Sequence, residues 1–271
     1  MTTTIIDPAA PIIVGGCPRS GTTLLRLMLD SHPNITCGPE FKAIPMVMNS
    51  LQDIIKTLGP SLKRDYGVTG EHLAQAHGRM ISELLEPYRV HSGKARIAEK
   101  TPQNGLPLPF LVHALPRSPL IQVIRDGRDV AASLVKQDWR SMVDNKPVEY
   151  TGSVEKAARY WRRYIENGEM TRKKAPDRYM ALFYEDLVAD PRKALAPLLD
   201  LIGEEWDERM LNYDTLPHDR RPGEKDIHGN APLSPVYRDS VGRWATEWDA
   251  DDHKRFDAEA GDLLRKLGYV S

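Results

Sequence analysis

Residues 11–33 read PIIVGGCPRSGTTLLRLMLDSHP, and their order decides the fold class. Pro11-Ile12-Ile13-Val14 is an apolar run with the length of a buried strand, ended by Gly15-Gly16. From Thr22 the apolar positions recur at helical spacing until Pro33, which disfavours helix in the residue before it. Gly16 and Gly21 stand five positions apart in the turn between them. That is the spacing of a loop whose backbone N–H groups, at the start of a helix, cradle a phosphate. A nucleoside triphosphatase carries a lysine after the second glycine, to reach the outer phosphates. Here Thr22 takes that place and Arg19 lies inside the loop. The turn keeps an anion cradle and drops the lysine.

Outward from this unit, short apolar runs alternate with helix-period segments, the pattern of a parallel sheet covered by helices. Further strands are expected at Arg96–Glu99, closed by Thr101-Pro102, at Leu120–Ile124 and at Tyr179–Tyr184. A helix is expected over 71–88 with Leu73, Ala76, Met80, Leu84 and Tyr88 on its buried face. Another follows Tyr150, burying Val154, Ala157, Ala158, Trp161 and Ile165. Asp190-Pro191 starts a third as N-cap and first helical residue, and Gly203 ends it. A last helix carries Phe256, Ala260, Leu263, Leu264 and Leu267. The expectation is α/β, with a P-loop-type central parallel sheet flanked by helices in a single domain, 1–271. Residues 1–10 are expected as a flexible tail. Residues 213–239, rich in Pro, Gly, charge and His, are expected as a long loop over the site.

Composition narrows the chemistry. With 41% hydrophobic and 28% charged residues, the 271-residue chain has the make-up of a soluble globular protein. Lys+Arg at 37 against Asp+Glu at 38 gives no global pull toward nucleic acid or an anionic membrane. Cys17 and Cys37 cannot form a disulfide framework or a four-ligand zinc site, and the eight His are scattered, so no metal is expected. Cys17 is read as a small structural residue rather than a stabilised thiolate. No signal peptide or membrane span is visible, which makes the cytoplasm the expected location.

A second motif is Val123-Ile124-Arg125-Asp126-Gly127-Arg128-Asp129-Val130-Ala131-Ala132-Ser133. Its strand delivers Arg125 to the sheet edge where open α/β sheets bind ligands. Ser133 lies about two helical turns beyond, so both can converge on a second anion.

Taken together, GCPRSGTT, LLRLMLDSHP and VIRDGRDVAASL resemble the sulfotransferases that use 3′-phosphoadenosine 5′-phosphosulfate (PAPS). PRSGTTLLRLMLDSHPNITCGPEFKAIP is most similar to the tyrosylprotein branch. The resemblance implies that Arg19, Ser20, Gly21, Thr22 and Thr23 hold the 5′-phosphosulfate, and that Arg125 and Ser133 hold the 3′-phosphate. It places Tyr184 near the adenine. From the segment VYRDSVGRW it brings Arg243 to the donor, with Ser240 standing in where the branch often has Ser at the position of Gly242.

Glu40 matches the branch's catalytic base, and Lys100 a lysine that stabilises charge on the leaving oxygen. Arg19 counts with them among the catalytic residues by holding the donor, while Glu99 is expected on the opposite face of its strand. Two departures lie where an acceptor would sit: Pro39 replaces a second Glu, and Lys42 replaces Arg. The implied activity is sulfuryl transfer from PAPS to a hydroxyl acceptor. That acceptor is a peptide or protein tyrosine, with a carbohydrate, lipid or other small-molecule hydroxyl left open. Lys42 would attract acidic residues flanking the tyrosine, and His218-Asp219-Arg220-Arg221 would extend that preference if the loop folds over the site, Arg220 and Arg221 being read as solvated loop residues otherwise. A P-loop small-molecule kinase and a non-catalytic nucleotide-binding module are the alternatives, and a homodimer is left open. The missing loop lysine counts against the kinase, and the module would need no base.

Overall fold

The computed structural model describes residues 6–141, 144–219 and 240–270. In chain order they form β1 (Ile12–Gly16), α1 (Thr22–Ser31), β2 (Ile35–Thr36), α2 (Ala43–Tyr66), α3 (Gly70–Ser92) and β3 (Arg96–Lys100). There follow α4 (Leu108–Ala114), β4 (Leu120–Ile124), α5 (Gly127–Leu134), α6 (Val154–Lys174), β5 (Tyr179–Phe183) and α7 (Tyr184–Ala189). α8 (Pro191–Ile202), α9 (Trp244–Glu247) and α10 (Ala250–Lys266) complete the fold.

The five strands are parallel in the order β2-β3-β1-β4-β5. β1 is buried throughout because helices cover both faces of the sheet. Ile12 and Val14 point into one layer with Leu25, Met28, Leu195 and Leu198. Ile13, between them, points into the other with Ile44, Ile81 and Leu111. From β1 the chain first builds β2 and β3 on one side, then β4 and β5 on the other. Ligands bind at such a reversal, outside the carboxyl ends of the strands. Register brings Val14 opposite Lys100 and Gly16 opposite Val123. The loop after β1 therefore lies between Lys100 and Arg125.

The central α/β sheet is as expected, and four local readings change. The helix over 71–88 forms, but it buries Ala74, Gly78, Ile81 and Leu85, leaving Met80 and Leu84 about half exposed. The reason is Gly78: a Cβ there would fall 1.7 Å from the Ala114 carbonyl oxygen, so α3 meets α4 along its small residues. Tyr184 begins α7 rather than ending β5. Asp7 and Ala10, expected in a flexible tail, form a turn, and the Asp7 N–H donates to the Arg117 carbonyl at 3.3 Å. Of the long loop 213–239, residues 213–219 are folded, with Tyr213 buried against the core. Residues 220–239, Arg220 and Arg221 among them, lie outside the described residues.

Candidate active site

The loop after β1 turns sharply on two left-handed residues, Arg19 at φ 75° and Gly21 at φ 86°. The Ser20 N–H donates to the Cys17 carbonyl at 3.1 Å, closing the turn. Gly21 is the N-cap of α1, so no side chain caps that end, and its first turn carries no acid. The first N–H groups of a helix lack intrahelical acceptors, and together with the helix dipole they favour an anion. Ser20 Oγ is buried there without a partner among the described residues. Burial pushes the Cys17 thiol well up, in line with a small structural residue.

Arg19 and Arg125 meet over this loop. Arg19 Nε donates to Ser133 Oγ at 2.8 Å, and Arg125 Nη1 donates to the Arg19 carbonyl at 3.0 Å. Arg125 Nη2 donates to the Ser240 carbonyl and lies 3.4 Å from Asp129 Oδ2. Its Nε is buried without a partner among the described residues. The guanidinium sits 4.9 Å from the centre of the Tyr184 ring. Burial, with Arg125 and Arg243 nearby, pushes the Arg19 guanidinium below its usual value. Two anion subsites expected as separate are therefore contiguous, with Arg19 spanning them.

The segment from Ser240 closes the same corner. The Tyr184 and Ser240 hydroxyls are 2.6 Å apart, and the Gly242 and Trp244 N–H groups donate to the two oxygens of Asp129 at 2.9 and 3.1 Å. Arg243 is exposed and pairs with Glu247 at 2.7 Å. Asp129 was not singled out from the sequence. Its place four residues after Arg125, in the first turn of α5, is the available signal.

Lys100 ends β3 with its side chain fully enclosed. Its ammonium donates to Glu40 Oε1 at 2.8 Å and to Thr23 Oγ1 at 3.3 Å. Glu40 is a quarter exposed, and Lys42 Nζ lies 3.9 Å from its other oxygen. A carboxylate able to accept a proton thus shares a corner with an ammonium next to the anion cradle. Glu99, as alternation along β3 demands, lies on the other face and is buried.

His218 does not face this corner. Its side chain is buried, with Nδ1 2.5 Å from Asp30 Oδ2 and Nε2 2.8 Å from the Tyr213 carbonyl oxygen. Asp219 holds the Tyr88 hydroxyl at 2.8 Å. His218 and Asp219 tie the chain to α1 and α3, so the His218 imidazole is engaged away from this corner. Among the described residues no group of three or more His, Cys, Asp or Glu is arranged to hold a metal. No helix among them is long and apolar enough to cross a membrane.

Residues 11–208 match the family model described as "Sulfotransferase family". A Drosophila melanogaster protein-tyrosine sulfotransferase is 26% identical over 95% of this chain and 51% of its own length. A Danio rerio protein-tyrosine sulfotransferase 1 is 28% identical over 95% of this chain and 72% of its own. The chain thus spans about half the length of the fly relative. Among solved structures, the sulfotransferase domain from the curacin biosynthetic pathway superposes with a TM-score of 0.64 at 17% identity, covering 93% of this chain and 97% of that one. A mouse sulfotransferase complexed with PAP gives 0.55 at 15% identity, covering 98% and 87%. At these identities the two structures speak to the fold alone.

Proposed function

Because this chain belongs to the sulfotransferase family, we propose that it transfers a sulfuryl group from PAPS to a hydroxyl, with peptide tyrosine as the acceptor. The observation that carries the reading is Lys100, enclosed between Glu40 and Thr23 beside an uncapped helix N-terminus. The donor fits the residues present: the orphaned Ser20 Oγ and Arg125 Nε await acceptor atoms in a corner built of two guanidiniums. Gly21 also leaves a cradle that a Cβ would fill, its nearest neighbour being the Tyr184 ring at 2.2 Å.

When bound, PAPS supplies the activated sulfuryl group. Arg19, Ser20, Gly21, Thr22 and Thr23 hold its 5′ side, and Arg125 and Ser133 take the 3′-phosphate. Tyr184 and Ser240 flank them, and Arg243 adds positive charge at the rim. Glu40 takes the proton from the acceptor hydroxyl. Lys100 and Arg19 hold positive charge where negative charge develops on the leaving side, the electrostatic help expected of such groups. Lys42, beside Glu40 and half exposed, favours an acidic residue next to the tyrosine. A phenol ionises near pH 10, well below an aliphatic alcohol, which suits a carboxylate base.

Thermal unfolding tests the donor. Adenosine 3′,5′-bisphosphate (PAP) should raise the melting temperature far more than AMP or ATP, through selective binding to the folded state. Equal shifts with ATP would favour a kinase. Glu40→Gln should keep the PAP shift while turnover of labelled sulfate falls about a hundredfold, the usual scale of general-base help. An undiminished rate would remove Glu40 from the mechanism. Acidic tyrosine peptides should be labelled, their Tyr→Phe versions should not, and Lys42→Glu should weaken the transfer. Transfer to sugars alone would discard the peptide acceptor and leave the donor standing.

A further inference from the structure

Three consecutive residues of the β3 end grip three consecutive residues of the loop that carries Glu40. Lys100 donates to the Glu40 carboxylate. The Phe41 N–H donates to Glu99 Oε1 at 3.1 Å, and the Lys42 N–H donates to Thr101 Oγ1 at 3.1 Å. The Thr101 hydroxyl in turn donates to Glu99 Oε1 at 2.7 Å, so both backbone anchors converge on one carboxylate. Its second oxygen accepts Asn104 Nδ2 at 2.5 Å, and that same amide donates to the Val14 carbonyl at 3.1 Å, two residues before Gly16. One buried acid thus links the loop of Glu40 to the strand that feeds the anion cradle.

The loop needs such a hold. Lys42 stands at φ 62°, a left-handed conformation that is unfavourable for a residue with a Cβ and persists only where its surroundings impose it. The two N–H groups that would otherwise let the segment relax are those anchored by Glu99 and Thr101. Burying a carboxylate is unfavourable, and burial raises this one above its ordinary range against the pull of Thr101, Asn104, Phe41 and Lys100. A neutral side chain in that place would spare the fold this cost.

We propose that Glu99 is the positioning residue for the Glu40 base, acting through the Phe41 amide and the Thr101 hydroxyl to hold the carboxylate against Lys100. This rests on the sulfuryl-transfer reading for its effect on rate, and on the loop geometry alone for its effect on order. Glu99 is buried on the face of β3 opposite Lys100, and its partners are Phe41, Thr101 and Asn104. A glutamine can keep one oxygen facing Phe41 and Thr101, its amide nitrogen then donating to Asn104 Oδ1 once that amide turns over, whereas alanine keeps nothing.

The test compares Glu99→Ala, Glu99→Gln and wild type in amide hydrogen exchange of the segment 38–42, kcat, its pH profile, and the PAP-induced thermal shift. Glu99→Ala should speed exchange at Phe41 and Lys42 by about tenfold or more. It should lower kcat by a similar factor, move the acid limb of the profile, and leave the PAP shift unchanged. Glu99→Gln should restore exchange and kcat to within about threefold of wild type. Unchanged exchange and kcat in Glu99→Ala would overturn the proposal. So would loss of the PAP shift in step with kcat, which marks a general structural role, or Glu99→Gln behaving like alanine. If Glu99→Ala does not fold, Thr101→Val removes the intermediate hydroxyl and Thr101→Ser returns it. The same loss and rescue is then expected, and Thr101→Val matching wild type overturns the idea. If wild type transfers no sulfuryl group, the functional reading fails, and the exchange arm still decides whether Glu99 holds the loop.

Discussion

Arg125 spends its fork in three directions, on the Arg19 carbonyl, the Ser240 carbonyl and Asp129. A lysine places one ammonium where these acceptors are spread about a plane, so Arg125→Lys should behave much like Arg125→Ala. Either change should cost about 1.5–3 kcal/mol of the preference for PAP over AMP, roughly ten- to a hundredfold. Calorimetric titration with both nucleotides checks it, and equal weakening of the two would mark Arg125 as scaffolding for the 240–244 segment. The residue itself was legible, because an apolar strand ending in Arg before a helix start has few readings. Its partners were not. Two are backbone carbonyls, which carry no sequence signature, and one of those comes from a segment 115 residues away. Glu99 was legible only as the far side of β3, since nothing in EKTP says which N–H groups will reach that carboxylate. His218 was misjudged for a related reason: a His beside arginines reads as a surface cluster until Asp30 is seen to enclose it.

Elements are legible in the sequence where one pattern dominates and obscure where two compete. β1, β4 and β5 are short and apolar, and each follows a turn or proline that bounds it. α2 was missed because only its first half buries a face, through Ile44, Val47, Met48 and Leu51. Its second half carries Gly59 and Pro60, which look like a break, yet the helix runs on to Tyr66. Exposed residues there ask nothing of the local pattern. The joint between β1 and α1 is where an element depends most on one residue. At Gly21 a Cβ would meet both an unfavourable φ of 86° and the Tyr184 ring at 2.2 Å. Gly21→Ala should therefore lower the melting temperature and abolish the PAP shift. Adding Tyr184→Ala should cost less in the Gly21→Ala background than in wild type, since it removes the collision and leaves the backbone strain of about 1–2 kcal/mol. Strictly additive losses in the double variant would show that the ring does not press on the loop.

Across the whole molecule, the strand order sends the two halves of the site outward from β1 in opposite directions. On the β2–β3 side two buried acids, Asp30 and Glu99, tie separate segments together, and their carboxyls move in opposite senses. Burial alone would raise the Asp30 carboxyl, but hydrogen bonds from His218 and the Cys37 N–H, with Lys94 nearby, hold it below its ordinary 3.8. A depressed acid contributes stability above its unfolded value, and that contribution disappears as pH falls through the lower folded value. Burial dominates at Glu99 and raises it above 4.5. A raised acid contributes fully below its unfolded value and loses that contribution as pH climbs through the folded one. Urea unfolding of wild type, Asp30→Asn and Glu99→Gln between pH 3 and 8 should separate the two. The stability of Glu99→Gln relative to wild type should improve as pH rises from about 4.5, because only wild type then charges a buried group. The deficit of Asp30→Asn should be full at neutral pH and shrink as pH falls below about 3.8, where wild type loses its ionised partner for His218. Parallel curves for all three proteins would mean that neither carboxyl differs between the folded and unfolded chain, and both electrostatic assignments would fall together.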